Sequence, residues 1–393
     1  MSAVRQVRAV TAVGLMSLPQ RIGTSLVVVV GVATVVAVLV SALAVARGFT
    51  KAATKTGSAD RAIVLAGDTE ASSGISRSAA ATIMDAPGVA QTATGQPIGS
   101  AEVLEFIPLT DQHTGLDAYA TVRGVGPEAF SLRPNVRLVA GRMFKPGEHE
   151  LIVGHAVEER LGGLAIGSSV TLPNGAWKIV GIFASDGDSH ESEIMTDGAS
   201  LMNAYRHNEF NSVTVKLDAP RDFGRFNAAL TSNPTLSVKA QREDAYYAAM
   251  SRPVAQLLEL IAYGIGGIMA FGAVFGALNT MYSAVSARRS EIATLRAIGF
   301  AGTPVVVSVV VEALVLGLAG ALLGSLVAWS LLNGATISTM TGVTPSQITF
   351  GLEVGPGSVL VGVLFALAIS AIGGIAAAGR AARISVAAAM RVV

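Results

Sequence analysis

The stretch Ser286-Ala287-Arg288-Arg289-Ser290-Glu291-Ile292-Ala293-Thr294-Leu295-Arg296-Ala297-Ile298-Gly299-Phe300 stands between two long apolar runs. Ile292, Leu295 and Ile298 fall three residues apart, while Arg289, Glu291 and Arg296 are polar. That is the pattern of a short amphipathic helix. Arg288 and Glu291 can pair across one turn, and Gly299 supplies a C-terminal stop. On its residues alone the segment reads either as a solvated turn or as a helix with a docking face.

Working outward, the flanking runs cover residues 254–287 and 304–332, and two more cover 22–46 and 356–379. Each reaches the length of about 20 mostly apolar residues that crosses a membrane as a helix. Run 22–46, preceded by Arg5, Arg8 and Arg21, could be read as a signal peptide, but it is longer than that peptide's apolar region of roughly 7–15 residues and is expected to remain as a span. Composition agrees: 51% of the chain is hydrophobic and 14% charged, against about 25% charged in a soluble protein. A net charge of +1 without any basic run gives no support to a nucleic-acid partner. With no cysteine, disulfides, thiolate metal sites and cysteine nucleophiles are excluded.

Charge bias orients the spans. Arg5, Arg8 and Arg21 lie in segment 1–21, Arg288, Arg289 and Arg296 in connection 288–303, and Arg380, Arg383 and Arg391 in tail 380–393. Connection 333–355 has no Lys or Arg. Basic short loops stay in the cytoplasm, so both termini and the 288–303 segment are expected there. Residues 47–253 then form a large external domain.

That domain has ordinary soluble composition. Strand-like runs at 62–65, 118–125, 150–153, 169–172, 177–183 and 212–217 are rich in Val, Ile and Thr and bounded by turn residues. Pro173-Asn174-Gly175 reads as a hairpin turn. Helical segments are expected at 76–85, capped by Ser76, and at 222–231, with a short strand at 237–240. The two ends of the region therefore read β-α-β. This gives a split α/β lobe at about 50–101 and 210–250, carrying a β-rich insert at about 102–209. Residues 241–261 read as a helix leading into the second span, with Pro253 as a kink or helix-start position. The fold class expected is an α-helical membrane protein with four transmembrane helices and a large α+β extracytoplasmic domain.

The cytoplasmic segment resembles the R-R-x-E-I-x-x-L-R-A-I-G motif of MacB/FtsX-superfamily ABC transporter permeases. Arg288, Arg289, Glu291, Ile292, Leu295, Arg296, Ala297, Ile298 and Gly299 match it in place. Glu312, Gly317, Gly320 and Gly324 fit the family's next span, and Arg380, Ala381, Ala382, Arg383, Ile384, Ala389, Met390 and Arg391 fit its tail. Ala377 and Val386 depart from a frequent Pro there, and Gly379 from a basic residue. In the external domain, Gly141-Arg142-Met143-Phe144, Val153-Gly154 and Val180-Gly181-Ile182-Phe183 resemble the family's periplasmic domain, with its porter-like α/β lobe and β-rich lobe. The resemblance implies a coupling helix at Arg288, Arg289, Glu291, Ile292, Leu295, Arg296 and Gly299 that docks on an ABC ATPase dimer. It also implies a bacterial inner-membrane location and a homodimer, and export with a periplasmic adaptor and outer-membrane channel as one outcome. Lipoprotein extraction and non-transport regulation of envelope enzymes are the others. A membrane-anchored sensor is a further reading, against which the cytoplasmic helix and the closely spaced C-terminal spans argue.

Single residues add constraints. The sequence has no Gly-Lys dipeptide and hence no G-x-x-x-x-G-K-[ST] phosphate loop, so ATP and Mg are expected on a separate subunit, with no cofactor and no catalytic residue here. Asp186, Asp188, His190, Glu191 and Glu193 form the densest group of metal-ligand types, but without calcium-loop spacing, and a solvated loop between lobes is expected. Glu312, inside a span, reads either as a conformational ion pair with Arg288 or Arg296 or as a transport residue. Gly272 and Gly276, like Gly320 and Gly324, permit close helix packing, within the chain or at a homodimer seam.

Overall fold

The computed structural model describes residues 3–16, 22–112, 114–287, 302–340 and 347–382. Two compact units separate. One takes Met1–Arg47, Gln256–Ala335 and Leu352–Val393, the other Gly48–Ala255 and Thr336–Gly351.

The first unit is helical: α1 (Ala3–Met16), the apolar part of α2 (Ile22–Thr56), most of α8 (Glu243–Ala287), α9 (Gly302–Leu332) and α10 (Pro356–Ala382). All but α1 are long and apolar enough to cross a membrane. At about 1.5 Å per residue, α8 is roughly 67 Å long, twice the hydrocarbon thickness of about 30 Å. Its head therefore extends well beyond what a span requires. Small and β-branched residues fill the core, with Val32, Val36 and Val40 of α2 against Val309, Ala313 and Ala321 of α9 and Ala366 of α10. The helix α1, which the sequence left as a plain N-terminal segment, packs on α9, where Ser308 Oγ donates to the Val10 carbonyl at 3.2 Å.

The second unit is built on one long sheet. Its strands are β1 (Arg61–Leu65), β3 (Gly99–Thr110), β4 (Asp117–Val125), β5 (Arg137–Gly141), β6 (Glu150–Gly154), β7 (Ser169–Leu172), β8 (Gly175–Ala184), β9 (Glu193–Asp197), β11 (Ser212–Lys216) and β12 (Lys239–Arg242). Their order is β12-β1-β11-β3-β4-β9-β6-β8-β5, with β7 on β8. Short strands β2 (Ile75–Ser76) and β10 (Glu209–Phe210) pair separately.

Strand β3 joins the two ends of this sheet. Residues 99–102 pair with β11, and 103–110 with β4. On the β11 side, α3 (Arg77–Met84) and α7 (Phe223–Thr231) cover a core of Ala62, Val64, Ile83, Val213, Val215 and Phe226. On the β4 side, α5 (His155–Arg160) and α6 (Gly198–Tyr205) accompany a second core with Val122, Leu151, Trp177, Ile179 and Leu201. Ser76 caps α3 by accepting from the Ala79 N–H at 3.2 Å. Pro173 and Asn174 make the two-residue turn between β7 and β8, and Asn174 Oδ1 accepts from Trp177 Nε1 at 2.8 Å. The short α4 (Ala129–Leu132) follows β4.

Connection 333–355, expected as a loop, contains a hairpin of β13 (Thr336–Met340) and β14 (Gln347–Gly351), which belongs to the second unit. Ile337, Ile348 and Phe350 alternate with Ser and Thr, so the run carries the two-residue strand period.

Candidate functional site

The coupling residues Arg288, Arg289, Glu291, Ile292, Leu295, Arg296 and Gly299 lie outside the described residues. So do both partners expected for Glu312, which is itself buried on α9 at 6% exposure. The four glycines part company. A Cβ on Gly320 would stand 2.8 Å from the Val29 carbonyl oxygen, and one on Gly324 2.3 Å from that of Ala33, so α9 and α2 touch backbone to backbone there. At Gly272 and Gly276 a Cβ would meet nothing within 4 Å.

The second unit holds a cluster that the sequence reading did not assemble. Arg123, on β4 and 2% exposed, donates Nε and Nη2 to the two carboxylate oxygens of Glu193 at 2.8 Å each. Its Nη1 reaches Glu70 at 2.9 Å and Glu102 at 2.8 Å. Arg133 grips Glu102 with Nη1 at 2.6 Å and Nη2 at 3.0 Å. Ser212 Oγ donates to Glu70 at 2.8 Å. Two-pronged guanidinium–carboxylate pairs of this kind fix orientation as well as distance. Glu102 is the last residue of β3 paired with β11, so the network sits where the sheet changes partner and ties both cores together.

Burial alone would raise the carboxyls of Glu102 and Glu193, yet the guanidiniums outweigh it. Arg133 and Arg123 hold Glu102 at about 2, and Arg123 with His190 holds Glu193 well below the usual carboxylate range. Both are therefore ionised at neutral pH. The His190 ring is fixed on both sides. Arg133 Nε donates to its Nε2 at 3.0 Å, so its proton sits on Nδ1, which faces Glu193 at 3.0 Å.

Asp186, Asp188, His190, Glu191 and Glu193 were expected in a solvated loop; Asp186 is exposed and pairs with Arg137, but the structure overturns the expectation for Asp188, His190 and Glu193, which are buried. Asp188 and His190 are 1% exposed. The loop folds inward because Asp186 and Gly187 adopt left-handed backbone, which lets Glu191 accept from the N–H groups of Ser185 and Gly187 at 2.8 Å each. Asp188 then caps the 3-10 turn Ser189–Ser192 by accepting from the His190 N–H at 2.9 Å. Among the described residues, no three or more His, Cys, Asp or Glu could hold a metal ion together.

Three chain segments meet on this one turn. The Ser189 N–H donates to Thr56 Oγ1, at the end of α2, at 2.9 Å. Tyr247, in the first turns of α8, lies edge-on to the His190 ring at 6.2 Å. Ser192 Oγ accepts from the Thr349 N–H of β14 at 2.8 Å and donates to the Thr349 carbonyl at 3.3 Å. Phe350 of the same strand packs edge-to-face on Phe49 of α2 at 5.7 Å.

The head of α8 has further anchors. Glu243 pairs with Arg61 of β1 at 2.5 Å and accepts from the Ser58 N–H at 3.1 Å, and Tyr246 and Tyr247 pack on Ile63 and Leu65. At Gly57 a Cβ would stand 2.6 Å from the Asp244 backbone, so only glycine lets the chain leaving α2 pass the head of α8. A cavity of ≈ 60 Å³ lies between these segments and the sheet, walled by Phe49, Leu104, Phe106 and Met250 over a floor of Arg123 and Glu193.

The sequence did carry a trace of this cluster. In β4, alternation puts Ala118, Ala120 and Val122 in one core and Thr121 and Arg123 on the opposite face. Arg123, a charge inside the strand-patterned run 118–125, was the available signal.

The chain matches two family models. One, the MacB-like periplasmic core domain, covers residues 24–233, more than half of the 393; the other, the FtsX-like permease C-terminal, covers 263–386. Similar solved structures include the extracellular domain of the noncanonic ABC-type transporter YknZ from Gram-positive bacteria, 15% identical over 43% of this chain and 89% of that one, with a TM-score of 0.33. Another is the periplasmic region of MacB from Actinobacillus actinomycetemcomitans, 12% identical over 49% of this chain and 92% of that one, with a TM-score of 0.37. None of the curated proteins compared with the chain matches it. With both domain models in sequence on one chain, joined by α2 and α8, the protein belongs to the MacB/FtsX family of ABC transporter permeases.

Proposed function

We propose that this permease works by mechanical transmission. A separate ABC ATPase docks on residues 288–299, and its closure on ATP displaces the long helices. The extracytoplasmic domain then moves to expel a substrate. Two copies pair around an ATPase dimer, with the open glycine face of α8 at Gly272 and Gly276 as part of their seam.

The observation that carries this reading is the convergence on the turn Ser189–Ser192, where α2, α8 and the β13–β14 hairpin each hold a different residue. A movement of any one of these segments pulls on His190 and Glu193, and through them on Arg133 and Arg123. Parting a buried ion pair leaves an uncompensated charge and costs about 3–5 kcal/mol, so the sheet follows the helices rather than letting go. Pro253 leaves the Ala249 carbonyl without its helical N–H partner, which gives α8 a place to flex outside these anchors.

The docking part is tested by co-purification of the full chain with an ABC ATPase subunit from the same cells. Leu295→Glu and Arg296→Ala abolish association and ATPase stimulation while insertion stays normal. Unchanged association would refute the docking assignment.

A further inference from the structure

Charge does not balance inside the cluster. Arg61, Arg123 and Arg133 bring three positive charges, and Glu70, Glu102, Glu193 and Glu243 bring four negative ones. His190 does not close the gap, because its Nε2 already accepts from Arg133, a group that only donates. Asp188, buried nearby, widens the gap but is held by three neutral donors, the His190 N–H, Asn135 Nδ2 and Ser185 Oγ.

A buried excess charge is relieved by taking a proton. Glu102 and Glu193 each have both oxygens on guanidinium groups, and so does Glu70, whose Oε1 accepts from Arg123 Nη1 and Ser212 Oγ and whose Oε2 accepts from Arg123 Nη2 at 3.4 Å. Glu243 differs. Its Oε2 meets Arg61 and the Ser58 N–H, but its Oε1 is sealed from solvent and has no hydrogen-bond partner among the described residues. The charged and titratable groups facing it are Arg61 of β1, Arg133 after α4, His190 of the 3-10 turn and Tyr247 of α8 itself.

We propose that Glu243 carries a proton while the head of α8 is seated against β1, so that seating and release of this helix bind and release one proton. On release the carboxyl reaches water and gives up its proton, and the carboxylate parts from Arg61. The seated state holds the extra proton, so lower pH favours seating and higher pH favours release. This deepens the transmission reading by making the anchor of the moving helix proton-dependent.

The test is infrared spectroscopy of the full chain in lipid nanodiscs at pH 7, in the carbonyl region of protonated carboxyls, with carbon-13 glutamate labelling to assign the band. A band is expected that is lost in Glu243→Gln, shifted in Glu243→Asp and retained in Glu70→Gln. It stays constant when sodium or potassium is replaced by choline. Absence of the band, its loss in Glu70→Gln with retention in Glu243→Gln, or dependence on the cation overturns the proposal. No ATPase enters this measurement, so its outcome is independent of whether the docking and transmission reading holds.

Discussion

Where α9 meets α2, contact is made by what is missing. At Gly320 and Gly324 the backbones approach so closely that no side chain fits. Where β4 runs between β3 and β9, contact is made by charge, with Arg123 gripping three buried carboxylates. A bundle surrounded by lipid gains little from burying apolar groups, so close packing of small residues holds it together. The extracytoplasmic unit folds in water and can bury ions, provided each finds its partner. One unit is therefore sensitive to volume and the other to charge and pH.

The largest effect tests the charge side. Arg123→Met leaves three buried carboxylates short of a partner and destabilises the extracytoplasmic unit by about 3–5 kcal/mol. Denaturant unfolding followed by the fluorescence of Trp177 measures this. A change below about 1 kcal/mol would mean that the cluster is not a source of cohesion.

Next comes volume. Gly324→Val forces a side chain onto the Ala33 carbonyl and costs about 1–3 kcal/mol, whereas Gly276→Ala, open on all sides within the chain, stays within about 0.5 kcal/mol in a monomer. If Gly276→Ala instead disrupts dimers on native gels, the open face is the seam.

The pH dependence separates the two units further. Glu102 and Glu193 are depressed below their ordinary 4.5, so their contribution to stability is complete above that value. It is lost as the pH falls from about 4.5 through about 2, where Glu102 protonates. Unfolding midpoints across this window should drop for the wild type and stay flatter in Arg123→Met. Smaller than the loss of the Arg123 network is Ser192→Ala, which removes one side chain's two bonds to Thr349 and costs about 1 kcal/mol. Faster hydrogen exchange confined to β14 and the turn is the expected reading.

Much of the architecture was legible in the sequence, for identifiable reasons. Runs 62–65, 118–125, 169–172 and 177–183 announce themselves because Val, Ile and Trp alternate or cluster between turn residues, and they correspond to β1, β4, β7 and β8. Strand β3 was missed because Pro108 and two glutamates interrupt its pattern, although it is the strand that joins both cores. The charge cluster was illegible for a related reason. Glu70, Glu102, Arg123, Arg133, Glu193 and Glu243 are far apart in the chain, and only the strand order brings them together. Each alone reads as a surface charge. The group from Asp186 to Glu193 was seen as ligand types but assigned to solvent, because composition does not reveal that left-handed backbone at Asp186 and Gly187 turns Asp188 and His190 inward.

The central claim is that movement of the long helices reaches the sheet through that turn. Hydrogen exchange of the full chain in nanodiscs with its ATPase, compared without nucleotide and with ATP on a hydrolysis-deficient ATPase, tests it most directly. ATP binding should change protection at residues 189–193 and along β3 and β4 in the wild type. The change at β3 and β4 should disappear in a Thr56→Val, Ser192→Ala double variant that still binds the ATPase. Identical changes in both proteins, or none in the wild type, would contradict transmission through this turn.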